Sequence, residues 1–286
     1  MHVSVNGVQL FFDVEGAQLV PDGPAMREKP TLLLLHGGPG VDHTTYKPRF
    51  SQLADIAQVV YLDHRGCGRS DRGSRERWNL GQWGDDVWAF CNAVGITRPI
   101  VLGTSFGGMV ALAYATRHPE HPGRLILIST EAAGGSHIAE RVALFEKLGG
   151  PEVGALARRR FYGGELDEAL LDEWVRLAFP VYTRRPRDQA FVQRAILRPD
   201  VHIWFMRTGG EGLNFDFFPV LSRIQCPTLV LGGEDDPMIP IACQEEIAGA
   251  LPRELARCER FPGCGHGVIA DAPEQAMAVI REFIAS

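Results

Sequence analysis

Residues 99–115 read PIVLGTSFGGMVALAYA, with Ser105 set between Gly103 and Gly107. The apolar run Pro99 to Leu102 fits a buried strand, and the Ala-rich run that follows places a helix over Phe106 to Arg117. Very few residues remain for the reversal, and Gly103 and Gly107 supply the freedom from Cβ clashes that so sharp a turn needs. Such a turn thrusts Ser105 outward. The helix behind it aims free N–H groups and its positive dipole end at the hydroxyl, a setting that favours a developing oxyanion. Ser105 is therefore a candidate nucleophile, and the competing reading is a glycine-rich loop that packs a helix on a sheet.

Working outward, short apolar runs bounded by turn residues alternate with stretches of helical period. That pattern predicts an α/β chain with a mainly parallel sheet and helices on both faces. Strands are expected at Val3–Val5 and Val8–Val14, joined as a hairpin by Asn6-Gly7, and at Thr31–Leu35, Gln58–Leu62, Pro99–Leu102, Arg124–Ser129, Pro227–Leu231 and Ala256–Phe261. Helices are expected at Leu80–Val94, Phe106–Arg117, Ala242–Leu251 and Pro273–Ile284. Between residues 132 and 222 the pattern turns arginine-rich and amphipathic, with segments such as Ala139–Leu148 and Glu168–Ala178 that cannot bury an apolar face alone. This predicts a helical cap inserted into a core domain of residues 1–131 and 223–286.

The 286 residues carry 29 basic and 35 acidic side chains, a formal net charge of -6, so no overall positive field would hold nucleic acid. Six cysteines are scattered without a CxxC pair, which argues against a zinc site or a disulfide framework and predicts reduced thiols. The N-terminus lacks a basic leader and no apolar run approaches a membrane span, so a cytoplasmic location without membrane attachment is expected.

A serine hydroxyl is a poor nucleophile at neutral pH and needs a histidine base oriented by a carboxylate. The C-terminal third offers both. After the strand PTLVL comes GGEDDPMIP with Glu234, Asp235 and Asp236, and after the next strand comes FPGCGHGVIADAPE with His266 between Gly265 and Gly267. Spacing alone does not choose between Asp235 and Asp236. A second oxyanion donor is expected from the loop His36-Gly37-Gly38-Pro39-Gly40, where glycines let backbone approach a substrate; Gly38 and Phe106 N–H are the two candidates.

These residues resemble the α/β-hydrolase superfamily, in which nucleophile, acid and histidine follow in that chain order. HGGPG with a GxSxG serine is similar to the proline iminopeptidase branch of serine aminopeptidases. The resemblance covers the sheet domain, including DHRGCGRSD at residues 63–71, whose Asp63, Arg65 and Asp71 it implies are scaffold. It also favours Asp236 as the acid, from the Gly233, Asp236, Pro240 spacing. The chain departs from the branch at Thr104 and Phe106, where Gly and Trp are usual.

What the resemblance implies is release of an N-terminal aminoacyl residue from a short peptide or aminoacylated small molecule with a free amino terminus, without metal or organic cofactor. Such an enzyme must hold a free ammonium, and a carboxylate in a partly desolvated pocket does so. Glu211, in the late-cap stretch WFMRTGGE, is the candidate amine anchor; Glu131, Glu165, Glu168 and Glu173 are candidates for a second. Trp204 and Phe205, with Phe215, Phe217 and Phe218, wall an apolar pocket or pack the cap on the core. Arg158-Arg159-Arg160 and Arg184-Arg185-Pro186-Arg187 read as solvated faces, the rival reading being a patch for an acidic carrier or substrate. The alternatives in function are an esterase, lactonase or C–C bond hydrolase of the same fold, or a ligand-binding protein without turnover. The sequence leaves the oligomeric state open.

Overall fold

Asn6 and Gly7 both adopt positive φ (46° and 79°), as a tight two-residue turn requires, and join strand β1 (His2–Val5) to β2 (Val8–Glu15) in antiparallel register. The structure, a computed structural model, describes residues 1–186 and 189–286. A second hairpin, β3 (Leu19–Asp22) with β4 (Ala25–Glu28), follows without a counterpart in the sequence reading. Its residues are nearly all exposed, so no buried face imposes the alternation by which a strand is read.

Strands and helices then alternate: β5 (Thr31–Leu35), β6 (Gln58–Leu62), α1 (Leu80–Ala93), β7 (Ile100–Thr104), α2 (Phe106–Arg117) and β8 (Arg124–Ile128). After the insertion come β9 (Thr228–Gly233), β10 (Ala256–Phe261) and the helices described below. The eight-stranded sheet has the order β1-β2-β6-β5-β7-β8-β9-β10 and is parallel from β6 to β10. Its central strands are apolar on both faces because both are covered. Leu33, Leu35, Val101, Leu127 and Val230 pack under α1 and α2, whereas Leu32, Leu34, Leu102, Ile126 and Leu231 face the opposite layer.

The inserted segment carries α3 (Ile138–Phe161), α4 (Glu168–Leu177), α5 (Gln189–Arg194) and α6 (Pro199–Met206). The expected helix Ala139–Leu148 is the first half of α3, which breaks at Gly150 (φ 82°, ψ -178°). Pro151 lacks an N–H and disfavours helical geometry in the residue before it, so the kink sits there. Among the described residues the insertion holds no strand, only an isolated bridge between Ala133 and Asp216. Its apolar faces divide. Phe145, Leu156, Leu170, Trp174 and Tyr182 form a cluster of their own, while Val201, Phe205 and Phe215 merge with the main core.

After β9 the chain continues into α7 (Ile241–Ala250), and after β10 into α8 (Val268–Asp271) and α9 (Pro273–Ala285), which covers the second face. Among the described residues no helix is long and apolar enough to cross a membrane.

β5 lies between β6 and β7, so chain connections leave it in opposite directions along the sheet. In parallel sheets this switch point opens a crevice at the strands' C-terminal ends. The loops after β5 and β7 border it.

Candidate active site

β7 runs two residues further than its apolar run suggests, because Gly103 and Thr104 still pair with Leu127 and Ile128 of β8. Only Ser105 then separates strand from helix. It adopts φ 55°, ψ -122°, a left-handed conformation costly for a residue with a Cβ. The surroundings enforce it: Ser105 N–H donates to Ile128 O (2.8 Å), and Ser105 O accepts from Thr130 Oγ1 (2.7 Å) and Gly108 N (2.8 Å). A Cβ on Gly103 would collide with the backbone of Gly107, and one on Gly107 with the backbone of Leu35 and His36. The glycines are thus what lets strand and helix meet at one residue.

The loop 36–40 leaves β5 beside this turn, and Gly37 packs on Thr104 O and Ser105 Cβ. Gly38 has φ 116°, a conformation that glycine alone adopts readily. Phe106 is the first residue of α2, so its N–H has no partner within the helix. Neither its N–H nor that of Gly38 donates to an acceptor among the described residues. Both expected oxyanion donors therefore come from loops bordering one crevice.

His266 and Asp236 are brought together from different loops. His266 Nδ1 lies 2.8 Å from Asp236 Oδ2, and Asp236 Oδ1 accepts the N–H groups of Met238 and Ile239, each at 2.8 Å. Asp236 is fully buried, so an ionised carboxylate there depends on these three donors. Facing a carboxylate, Nδ1 carries the proton, which leaves Nε2 as the basic nitrogen. Of the two carboxylates that spacing left open, Asp236 is the one that bonds to the ring.

Two residues outside the sequence reading hold the histidine loop. Tyr182, from the insertion, stands edge-on to the His266 ring at 5.4 Å between centroids. Asp271 accepts Gly265 N–H on one oxygen (2.8 Å) and the N–H groups of Arg184 (2.9 Å) and Arg185 (3.0 Å) on the other, tying the cap to the loop. No local motif marks either residue, because their roles come from contacts between distant segments.

The polar side chains of the segment 63–71 are hydrogen-bonded within the fold, to partners more distant than the expected pairing with each other. Arg65 forms a buried bidentate pair with Asp86 (2.7 and 2.8 Å), and Asp71 accepts Gln9 N–H (2.9 Å). Asp42, His43 and Asp63 have metal-like proximity. Their oxygens are already engaged: Asp42 by Arg69 (2.9 Å) and Thr44, Asp63 by the His43 ring (2.7 Å) and N–H and by Arg69 N–H (2.9 Å each). Their chemistry is that of a hydrogen-bonded scaffold.

His36 and His64 are buried, and burial lowers the pKa of each below the ordinary value of 6.5, that of His64 strongly. The unfolded chain binds protons there that the folded chain refuses. Stability is therefore full above pH 6.5 and falls as the pH drops below it, by about 1.4 kcal/mol per unit per histidine at most. Urea unfolding should show stability lost as the pH falls from 7 to 5, by at most about 2 kcal/mol for each histidine so buried; an unchanged midpoint would contradict this.

The cap candidates fare unequally. Glu211 sits at the start of α1, where one carboxylate oxygen accepts Leu80 N–H (2.7 Å), and burial raises its pKa. Glu131 is buried and ion-paired with Arg141. Glu165 and Glu173 pair with Arg159 at the surface, and Glu168 lies in the first turn of α4. Phe205 is not a wall of an open pocket: it is enclosed by Trp83 and Phe106, with ring centroids 5.6 and 5.4 Å away, and packs α6 behind the serine turn. Trp204 is partly buried with the Arg207 guanidinium over its ring (3.6 Å), Phe215 belongs to the core, and Phe218 is exposed. Of the arginine runs, Arg158 and Arg159 are surface residues as expected, Arg160 is buried, and Arg187 lies outside the described residues.

A parallel sheet whose C-terminal ends carry a serine at a one-residue strand-to-helix turn and a carboxylate-bound histidine has the layout of an α/β-hydrolase. The chain belongs to the alpha/beta hydrolase fold family, whose model matches residues 30–148 and 151–273. It is 28% identical over 283 residues to the putative carbamate hydrolase RutD of Caulobacter sp. (strain K31), covering 96% of this chain and 95% of that protein. It is 26% identical over 276 residues to the proline iminopeptidase of Lactobacillus helveticus (strain DPC 4571), covering 90% of each. In fold it resembles the crystal structure of proline iminopeptidase from Mycobacterium smegmatis, with a TM-score of 0.79 at 23% identity over 100% of this chain and 97% of that one.

Proposed function

We propose that this hydrolase works by acyl transfer through Ser105. His266 Nε2 takes the hydroxyl proton while Asp236 holds the imidazole, the serine oxygen attacks a carbonyl carbon, and the Gly38 and Phe106 N–H groups bind the resulting oxyanion. His266 then protonates the leaving amine or alcohol, and water repeats the cycle on the acyl-enzyme. The observation that carries this reading is the 2.8 Å bond from His266 to a fully buried Asp236, on a chain that also holds a serine in strained strand-to-helix turn geometry. The substrate is an ester, amide or carbamate of a small acyl group.

A narrower reading is release of an N-terminal aminoacyl residue, with Glu211 as the amine anchor. It is favoured by the partly buried position of this carboxyl, where a charge pair counts for more than in water, and by likeness to the iminopeptidase of L. helveticus. It is weakened by the bond of that carboxylate to Leu80 N–H. A panel of aminoacyl-arylamides and neutral acyl esters separates the two. If the amine is bound there, Glu211→Gln lowers kcat/KM for aminoacyl substrates by about 10- to 100-fold and leaves neutral esters within about threefold. Equal effects on the two classes would remove Glu211 from substrate binding.

A further inference from the structure

Arg158, Arg159 and Arg160 end α3 in sequence but not in kind. The first two pair with exposed glutamates; Arg160 is 8% exposed, and no carboxylate among the described residues lies within ion-pair distance of it. Its guanidinium lies over the rings of Trp174 (4.2 Å) and Phe161 (5.6 Å) and makes one hydrogen bond among the described residues, from Nη2 to His202 Nε2 (3.1 Å). His202 is neutral, its pKa pushed down to about 3 by burial and by Arg160. Burial and the neighbouring cation Arg141 both disfavour the charge on Arg160. A buried cation without a counter-charge is costly, and ring faces offset only part of that cost.

Its position relates this imbalance to the site. On one side, Trp174 Nε1 donates to Tyr182 Oη (2.8 Å), and Tyr182 stands against His266. On the other, α6 carries His202 up to the 36–40 loop: Arg198 N–H donates to Gly40 O (2.7 Å), and a Cβ on Gly40 would lie 3.6 Å from His202 N. Arg160 is therefore linked by packing to both sides of the site, through Trp174 and Tyr182 to His266 and through His202 and α6 to the 36–40 loop. The nearby Glu165 lines a small cavity with Arg160 but is paired with Arg159.

We propose that Arg160 is the anion-binding residue of this site and takes a carboxylate of the substrate, so that the enzyme prefers monoanionic acyl compounds such as hemi-esters of short dicarboxylic acids. A planar guanidinium with most of its donors unused among the described residues matches a carboxylate's two oxygens. This rests on the serine hydrolase reading.

The test compares matched pairs of esters: mono-4-nitrophenyl glutarate against 4-nitrophenyl valerate for a charge on the acyl side, and 3-acetoxybenzoate against phenyl acetate for one on the leaving side. Wild-type protein should favour the anionic member of at least one pair by about tenfold or more in kcat/KM. Arg160→Gln should abolish that preference, mainly through KM, with neutral esters changed less than about threefold and Arg160→Lys restoring part of it. No charge preference in wild type, or equal losses on both members, overturns the proposal. If Arg160→Gln does not fold, glutarate should still inhibit wild-type turnover of 4-nitrophenyl valerate competitively where glutaramide does not, and equal inhibition counts against Arg160. Fluorophosphonate labelling of Ser105 reports separately: labelling without charge preference removes only the anion site, whereas absence of labelling and of ester turnover removes the hydrolase reading beneath it.

Discussion

Ser105→Ala is expected to leave a folded protein whose kcat on any ester or amide it hydrolyses falls by on the order of 10⁴-fold or more. Among the described residues the side chain makes no hydrogen bond that holds the fold; the turn is held by the Ser105 backbone, through Ile128 O, Thr130 Oγ1 and Gly108 N. Alanine retains a Cβ and so the same positive-φ cost, about 1–3 kcal/mol in either chain. Unfolding midpoint and circular dichroism should therefore match wild type while turnover disappears. Residual activity within about tenfold of wild type would mean that another group carries the acyl chemistry.

Asp236→Asn is expected to reduce kcat by on the order of 10⁴-fold, through the tautomer of His266. Met238 and Ile239 present two N–H donors to the Oδ1 position, so an asparagine must turn its carbonyl oxygen there. Its NH₂ then faces His266 Nδ1, which becomes an acceptor, and the ring proton moves to Nε2, the nitrogen required as base. Substrate binding is untouched, so KM should hold. Asp235→Asn, one residue away, should stay within about threefold of wild type. A loss below about tenfold for Asp236→Asn, or comparable losses at both positions, would remove Asp236 from its role.

Why Ser105, His266 and Asp236 could be approached from sequence is a matter of local physics. Apolar runs of strand length and helical period place the turns, and glycine marks where backbone must pass close to backbone, as at Gly103 and Gly107. Spacing alone did not choose between Asp235 and Asp236; the resemblance favoured Asp236, and it is Asp236 that bonds to the His266 ring. Expectations in the cap depended on tertiary contact and moved most. Phe205 packs inward against Phe106 rather than facing a substrate, and Glu211 closes the start of α1. Arg160 follows two surface arginines in sequence, and only the packing of α3 against α4 and α6 buries it. The β3–β4 hairpin escaped notice because exposed strands carry no apolar alternation.

The most direct measurement is to react the protein with a fluorophosphonate and locate the adduct by mass spectrometry of its peptides. A single adduct on Ser105, formed by wild type and greatly slowed in His266→Ala, is the predicted result. An adduct on another residue, or folded protein that turns over esters without modification of Ser105, would contradict the account.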